Sequence, residues 1–377
     1  MPLDFVNLLR HWRHHLHAHP ELSLHESATA AFVCEQLDKL GIGFTAHIGG
    51  HGVVATISRA GSNRSVGLRA DMDALPIMEA TNAPYASQRP GVMHACGHDG
   101  HTASLLGAAK LLVEDHDWAG TVHLVFQPAE EGFGGADAML KDGLLQKFPM
   151  ERIFGYHNWP GLEAGTVMIH DGPIMAAASN FTITLHGKAA HAAMPHLSQD
   201  PVQGVAHLII ALNSIVARNA DPLDTAVIST CKLQAGNANN QIPEQASLGG
   251  TYRALQLATM RQIEARIRDV AAHTAAAFGL SATVEIFGVL PPTVNDKAQA
   301  DFAAEVAAGQ GLAVRRDMAP SMGAEDFGCF LMEIPGAYAW IGNGNSANLH
   351  NPHFDYNDEI LPIAAHYLAG VAKAALR

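Results

Sequence analysis

Side chains suited to a divalent metal sit at widely separated points of this chain, and any fold it adopts must bring them together. Residues 94–101 read HACGHDGH, QPAEE ends at Glu131, YHNW contains His157, and LHNPH contains His350 and His353. Thiolate, imidazole and carboxylate are good ligands for zinc and similar borderline metals. Cys96, His98, Glu131, His157 and His350 form a candidate donor set. The adjacent Glu130 and Glu131 need different jobs, one binding metal and the other moving protons. Sequence alone does not decide between His350 and His353. Asp71 and Asp73 read as carboxylates lying behind a ligand histidine, fixing its tautomer, with direct ligation by either as the alternative. Asp99 and His101 fall close by, with open roles.

The pattern between these segments indicates an α/β layered sheet. Helices are expected at 3–17, 26–40 and 101–114, and strands at 52–58, 66–70, 121–127 and 152–157. The polar segments Asp71–Asp73, Glu130–Glu131 and His157 then fall at strand ends, where open α/β sheets bind ligands. Residues 180–290 read as β-α-β-β-α-β, the split βαβ or ferredoxin-like unit. The layered pattern resumes afterwards, with helices at 296–310 and after Asp358. The expected fold is therefore two-domain α/β. Residues 1–179 and 291–377 form a discontinuous layered catalytic domain, and 180–290 an inserted ferredoxin-like α+β lid.

With 377 residues and 48% hydrophobic content, the chain can bury cores for two domains. A net charge of −13 argues against a nucleic-acid binder. The four cysteines are scattered and form no disulfide framework, which suits a reducing compartment. No apolar run reaches roughly 18 residues and no export signal opens the chain, so a cytoplasmic protein without a membrane contact is expected. The glycines make no strand-linked dinucleotide fingerprint. His11, His14, His15, His17 and His19 read as solvated or capping histidines.

At CGHDGHTA, QPAEEG, GYHNWP, GKAAHAAMPH, AEDF and LHNPHFDYND, the chain resembles the M20 metallopeptidase family, and more closely its amidohydrolase branch of hippurate hydrolases, N-acyl-L-amino acid amidohydrolases and auxin-conjugate hydrolases. The resemblance covers nearly the whole chain. It implies two divalent ions per subunit (zinc or manganese, with cobalt or nickel also accommodated), held by Cys96, His98, Glu131, His157 and His350. It selects His350 over His353 and makes Glu130 the general base and acid. Cys96 stands where many relatives outside this branch use a bridging aspartate. The resemblance also implies that His191 polarises the scissile carbonyl, typically from a partner subunit, and that Asn240 and Arg253 bind substrate. Gln241 departs from the small apolar residue usual beside that asparagine.

The implied reaction is hydrolysis of an N-acyl-L-amino acid to a carboxylic acid and a free amino acid, by a homodimer joined through the lid or by a tetramer. A dipeptidase or carboxypeptidase, and a deacetylase of N-acetyl-diaminopimelate or N-acetyl-cysteine, are the alternatives within hydrolases. A noncatalytic metal-bound binding protein is the alternative outside them. Trp159, Met175 and Phe327 could line an acyl pocket, although core packing is the stronger reading.

Overall fold

The computed structural model describes residues 2–132 and 134–377. It divides into two compact units. One comprises residues 1–174, 293–319 and 326–377, and the other residues 175–292 and 320–325.

The first unit is built on an eight-stranded mixed sheet. Its order is Phe44–Ile48, Gly52–Arg59, Gly120–Gln127, Ser65–Asp71, Ile153–Pro160, Gly336–Gly344, Val167–Met168 and Val314–Arg315. The four strands from Gly120–Gln127 to Gly336–Gly344 run parallel to one another. Parallel strands are covered on both faces and read as continuous apolar runs. Ser65–Asp71 fits that rule, being buried from Val66 onward. Gly336–Gly344 was not legible as a strand, because glycines and small residues dilute its β signal. It nevertheless pairs with Ile153–Pro160 and sets Trp340 opposite His157.

Three helices pack tightly over this sheet. Around Gly107, on the His98–Glu114 helix, an added Cβ would lie 2.7 Å from Leu9 and 2.9 Å from Ala365. Glycine there lets the Leu3–Ala18 and Leu361–Ala375 helices approach closely. The central helix begins at His98, three residues before the sequence expectation, so His98, Asp99 and His101 occupy its first turn.

Two buried polar assemblies brace this unit. In the sheet, the Arg69 guanidinium bonds Asp71 (2.7 Å), Asp326 (3.0 Å) and Gln127 (2.8 Å). Under the helices, Arg13 is fully buried and donates to Asp99 (2.8 Å), Asp355 (2.5 Å) and Asp358 (3.4 Å). His17 joins the second assembly through Asp99 (2.8 Å) and Glu79 (3.2 Å). Its expected place among solvated histidines is therefore corrected. His17 falls on the inner side of its helix, where Asp99 and Glu79 give a buried imidazole two acceptors.

The second unit is a four-stranded antiparallel sheet ordered Ala226–Ala235, Gln245–Ala254, Ala177–His186 and Ser281–Leu290. With the helices Pro201–Asn219 and Leu257–Ala277 it makes the ferredoxin-like arrangement. Asp200 caps the first helix by accepting from Val202 N (2.9 Å), and Pro201 occupies its first turn. Leu208, Leu212, Ile263 and Ile267 bury against Phe181, Ile183 and Leu185. Pro201–Asn219 is also, among the described residues, the one helix long and apolar enough to cross a membrane by length and composition. In this unit it lays Val205, Leu208, Leu212 and Ile215 into the core.

Removing one partner of a buried ion pair strands the other charge, so Arg69→Met is expected to cost about 3–5 kcal/mol in denaturant unfolding. A pH dependence follows from His17. Burial lowers its pKa, but Asp99 and its neighbours outweigh burial and raise it above the ordinary value. A raised folded-state pKa gives stability that is complete below the unfolded value, about 6.5, and is lost as pH rises through the folded value. His17→Gln is expected to abolish that alkaline-side loss, measured as unfolding free energy against pH.

Candidate metal centre

Three short segments and the Ile153–Pro160 strand, which carries His157, deliver the candidate donors, and each of the three segments turns through a left-handed residue. Gly97 (φ 94°) separates Cys96 from His98, and a Cβ there would lie 2.2 Å from Asn158 Oδ1. Ala129 (φ 53°) lies between the Gly120–Gln127 strand and Glu130–Glu131. His350 is itself left-handed (φ 61°) and is tied by its N–H to Ala95 O at 2.8 Å. Such conformations cost a non-glycine residue on the order of 1 kcal/mol, so they persist where surrounding contacts impose them.

These turns gather the predicted donors. Cys96, His98 and His157 form one group whose ligand atoms all lie within 4.8 Å of one another, and Cys96, Glu131 and His350 form a second. Each group is compact enough to converge on a single ion, whose bonds to such donors run roughly 2.0–2.3 Å. Cys96 belongs to both. Cys96 Sγ is 3.3 Å from His157 Nε2, and Glu131 Oε1 is 3.3 Å from His350 Nε2. Glu130, His98 and Glu131 make a further group of the same size. Glu130 is buried, and its Oε1 lies 3.4 Å from the Asp326 N–H.

The hydrogen bonds aim the two buried imidazoles. A carboxylate or carbonyl can only accept, so the histidine nitrogen facing it carries the proton. His98 Nδ1 donates to Asp73 Oδ1 (3.2 Å) and His157 Nδ1 donates to Asn158 O (2.7 Å). In both rings this turns Nε2 toward the donor cluster, the arrangement found behind metal-bound histidines. Among the described residues, His98 Nε2 and Glu131 Oε1 are buried without a hydrogen-bond partner. Buried polar atoms rarely stay unsatisfied, and a cation between them supplies what is missing. Asp71 also lies near His98 Nε2, at 3.7 Å. Its oxygens are already engaged by His101 Nδ1 (2.6 Å) and Arg69 (2.7 Å).

The electrostatics favour a cation at the same place. Burial, then Glu131, Glu130 and Asp71, push the Cys96 thiol well above its ordinary pKa. Burial pulls His98 down, but Asp71, Asp73 and Glu131 together carry it up to about 10. Burial and then His101 hold His157 well below its ordinary value, neutral and ready to ligate. Bound divalent ions reverse this logic, replacing the protons on sulfur and on His98. The residues present therefore fit a binuclear divalent-metal site, and this unit carries one.

Other candidates separate clearly. Asp73 stands behind His98 and also accepts from Glu131 N (3.0 Å). Asp99 turns away, into the Arg13–His17 assembly. His101 is held between Asp71 and Asn158 (2.7 Å). Phe327 is buried and stacks on Tyr338 at 4.7 Å, while Trp159 stacks on Trp340 at 3.7 Å.

In the second unit, Ala190–His191 pairs with Gln241–Ile242, and Ala192 N donates to Asn240 O (3.0 Å), so His191 and Asn240 are neighbours. His191 is exposed and its Nδ1 accepts from Ala193 N (3.1 Å), leaving the proton of a neutral ring on Nε2. Arg253 is half-buried on the Gln245–Ala254 strand and donates to Met322 O (2.7 Å). Arg69 and Asn158 were not anticipated at the centre. An arginine inside an otherwise apolar strand, in VGLRAD, was the available signal for the first.

A model of the peptidase family M20/M25/M40 matches residues 67–374. The hippurate hydrolase of Campylobacter jejuni is 40% identical over 379 residues, covering 100% of this chain and 98% of its own. The N-acetyl-L-cysteine deacetylase of Bacillus subtilis is 40% identical over 365 residues, covering 97% and 87%. Among solved structures, the YXEP protein of Bacillus subtilis, a dinuclear metal binding peptidase from the M20 family, is 36% identical with a TM-score of 0.87, covering 100% and 99%. With a family model spanning most of its length and near full-length relatives, this chain belongs to the M20 peptidase family and is a metal-dependent hydrolase.

Proposed function

We propose that the protein is an amidohydrolase that splits N-acyl-L-amino acids into a carboxylic acid and a free amino acid. Glu130 acts as general base and acid, and Cys96, His98, Glu131, His157 and His350 hold two divalent ions. The observation that carries this reading is the Glu130–Glu131 turn. One carboxylate lies among the donors with Cys96 and His350, and the next is buried within the same span of His98. Hippurate and N-acetyl-L-cysteine, named for the two relatives above, are both N-acylated amino acids.

When bound, the metal pair supplies Lewis-acid activation of a water and of the amide carbonyl. Glu130 accepts a proton from the attacking water as its oxygen bonds to the amide carbon, and returns it to the amine nitrogen as the C–N bond breaks, releasing the carboxylic acid and the free amino acid. His191 Nε2–H donates to the carbonyl oxygen as negative charge develops on it. Arg253, oriented by Met322 O, grips the substrate carboxylate, and Asn240 lies beside His191 to contact the same substrate. Asp73 and the Asn158 carbonyl keep His98 and His157 in the ligating tautomer. Cys96 belongs to both donor groups, so its thiolate would be available to either ion. The functional form is a homodimer joined through the lid, in the cytoplasm, where a ligand thiol stays reduced.

Free amino acid release from acetyl, benzoyl and indoleacetyl amino acids, set against dipeptides, tests the substrate class with metal-loaded enzyme. Acylated amino acids are expected to be preferred, and a preference for dipeptides would move the assignment to a peptidase. Glu130→Gln is expected to keep both metals, by elemental analysis, and lose about 10²–10⁴-fold in kcat. His191→Ala should lower kcat by on the order of 10²–10³ with metal content unchanged. Chelation should abolish turnover and lower stability, by about 2.7 kcal/mol relative to metal at 100 times its Kd. Zinc or manganese should restore both.

A further inference from the structure

Outside the donor set, one buried carboxyl reaches the turn on which the chemistry depends. Glu26 precedes the Ser27–Lys39 helix and is fully buried. Its Oε1 accepts from Leu24 N (3.0 Å) and, from 103 positions away, from Ala129 N (2.8 Å). Ala129 is the left-handed residue immediately before Glu130 (φ 53°). At the far end of the same turn, Glu131 N donates to Asp73 Oδ2 (3.0 Å), which also accepts from Ser23 Oγ (2.6 Å). The turn thus hangs from two carboxyls, one supplied and the other braced by the segment running from Ser23 to Glu26.

We infer that Glu26 is a positioning residue: by accepting the Ala129 N–H it holds the left-handed turn that aims Glu130 and Glu131 at the metal pair. The inference rests on the roles given to those two glutamates above. An alanine at positive φ is disfavoured by its own Cβ, so an outside contact must hold it there. The bond to Glu26 does so without touching a ligand atom. The backbone on the other side gives little room to relax, since Ala129 O accepts from Gly135 N (3.0 Å) and a Cβ at Gly135 would lie 1.7 Å from Pro128 O. The requirement is for an acceptor oxygen at the right reach, with charge secondary. Burial lifts the Glu26 pKa to about 7, and a carboxyl carbonyl accepts in either protonation state. Glu26 Oε2 has no hydrogen-bond partner among the described residues.

The test compares Glu26→Gln, Glu26→Asp and Glu26→Ala, each alone and with Ala129→Gly. The readouts are metal affinity by chelator competition, kcat, and the unfolding temperature of the metal-free protein. Gln keeps the acceptor at the same reach and should leave metal affinity within about threefold of wild type. Asp keeps the charge but falls short of Ala129 N, and Ala removes the acceptor. Both should lose about 10–100-fold in metal affinity, with kcat falling in parallel. Glycine carries no Cβ penalty at positive φ, so Ala129→Gly should recover part of the loss in either background. Should Glu26→Ala fail to fold, the Gln and Asp variants carry the comparison alone. The inference is overturned if Asp or Ala binds metal as wild type does, if Gln is as impaired as Asp, or if Ala129→Gly restores nothing. Wild-type protein that bound no metal would overturn the roles of Glu130 and Glu131 instead, which separates the two failures.

Discussion

A thiol and four carboxylates crowded around two imidazoles cannot remain buried together without positive charge. Cys96, Asp71, Asp73, Glu130 and Glu131 all bear on that small volume. Unpaired buried charge is among the most expensive features a protein can carry. Part of the compensation is built in. Arg69 neutralises Asp71 from within the sheet, and Asp73 is held by Ser23, by the Glu131 N–H and by His98. The remainder is directed at the donor cluster, where His98 Nε2 and Glu131 Oε1 are buried without a hydrogen-bond partner among the described residues. The metal requirement thus follows from the way the chain disposes of its acids.

The sheet makes this arrangement possible. Its parallel strands send Asp71, Gln127 and Asn158 toward one edge, and register places Asp71 opposite Gln127. Rigid strands fix where each turn begins, and left-handed residues fix where each donor points. The Arg13 assembly adds a tie at the level of the helices. It joins the N-terminal helix to Asp99, next to His98, and to Asp355 and Asp358, downstream of His350. The contacts that align the donors are therefore spread over residues far apart in the chain, while the donors themselves sit on three short segments and one strand.

Much of this was legible in the sequence. The candidate donors Cys96, His98, Glu131 and His157 stood out by residue type, His350 was separated from His353 only by the family resemblance, and the lid showed in its β-α-β-β-α-β order. What stayed hidden depends on long-range pairing. Gly336–Gly344 carries too many small residues to signal a strand, and becomes one because Ile153–Pro160 lies beside it. His17 and Glu26 sit in ordinary polar stretches, and only the fold brings Asp99 to the first and Ala129 to the second. Asp99 had the right type and spacing for the metal site, yet the helix beginning at His98 turns it to the opposite side.

The most direct test of the account is an anomalous-scattering map of metal-loaded crystals, collected at the absorption edge of the bound metal. The account expects two peaks per chain, both within bonding distance of Cys96 Sγ, one also bonded to His98 and His157 and the other to Glu131 and His350. A single peak, or a peak bonded to Asp71 and His101 with Cys96 unbound, would contradict it.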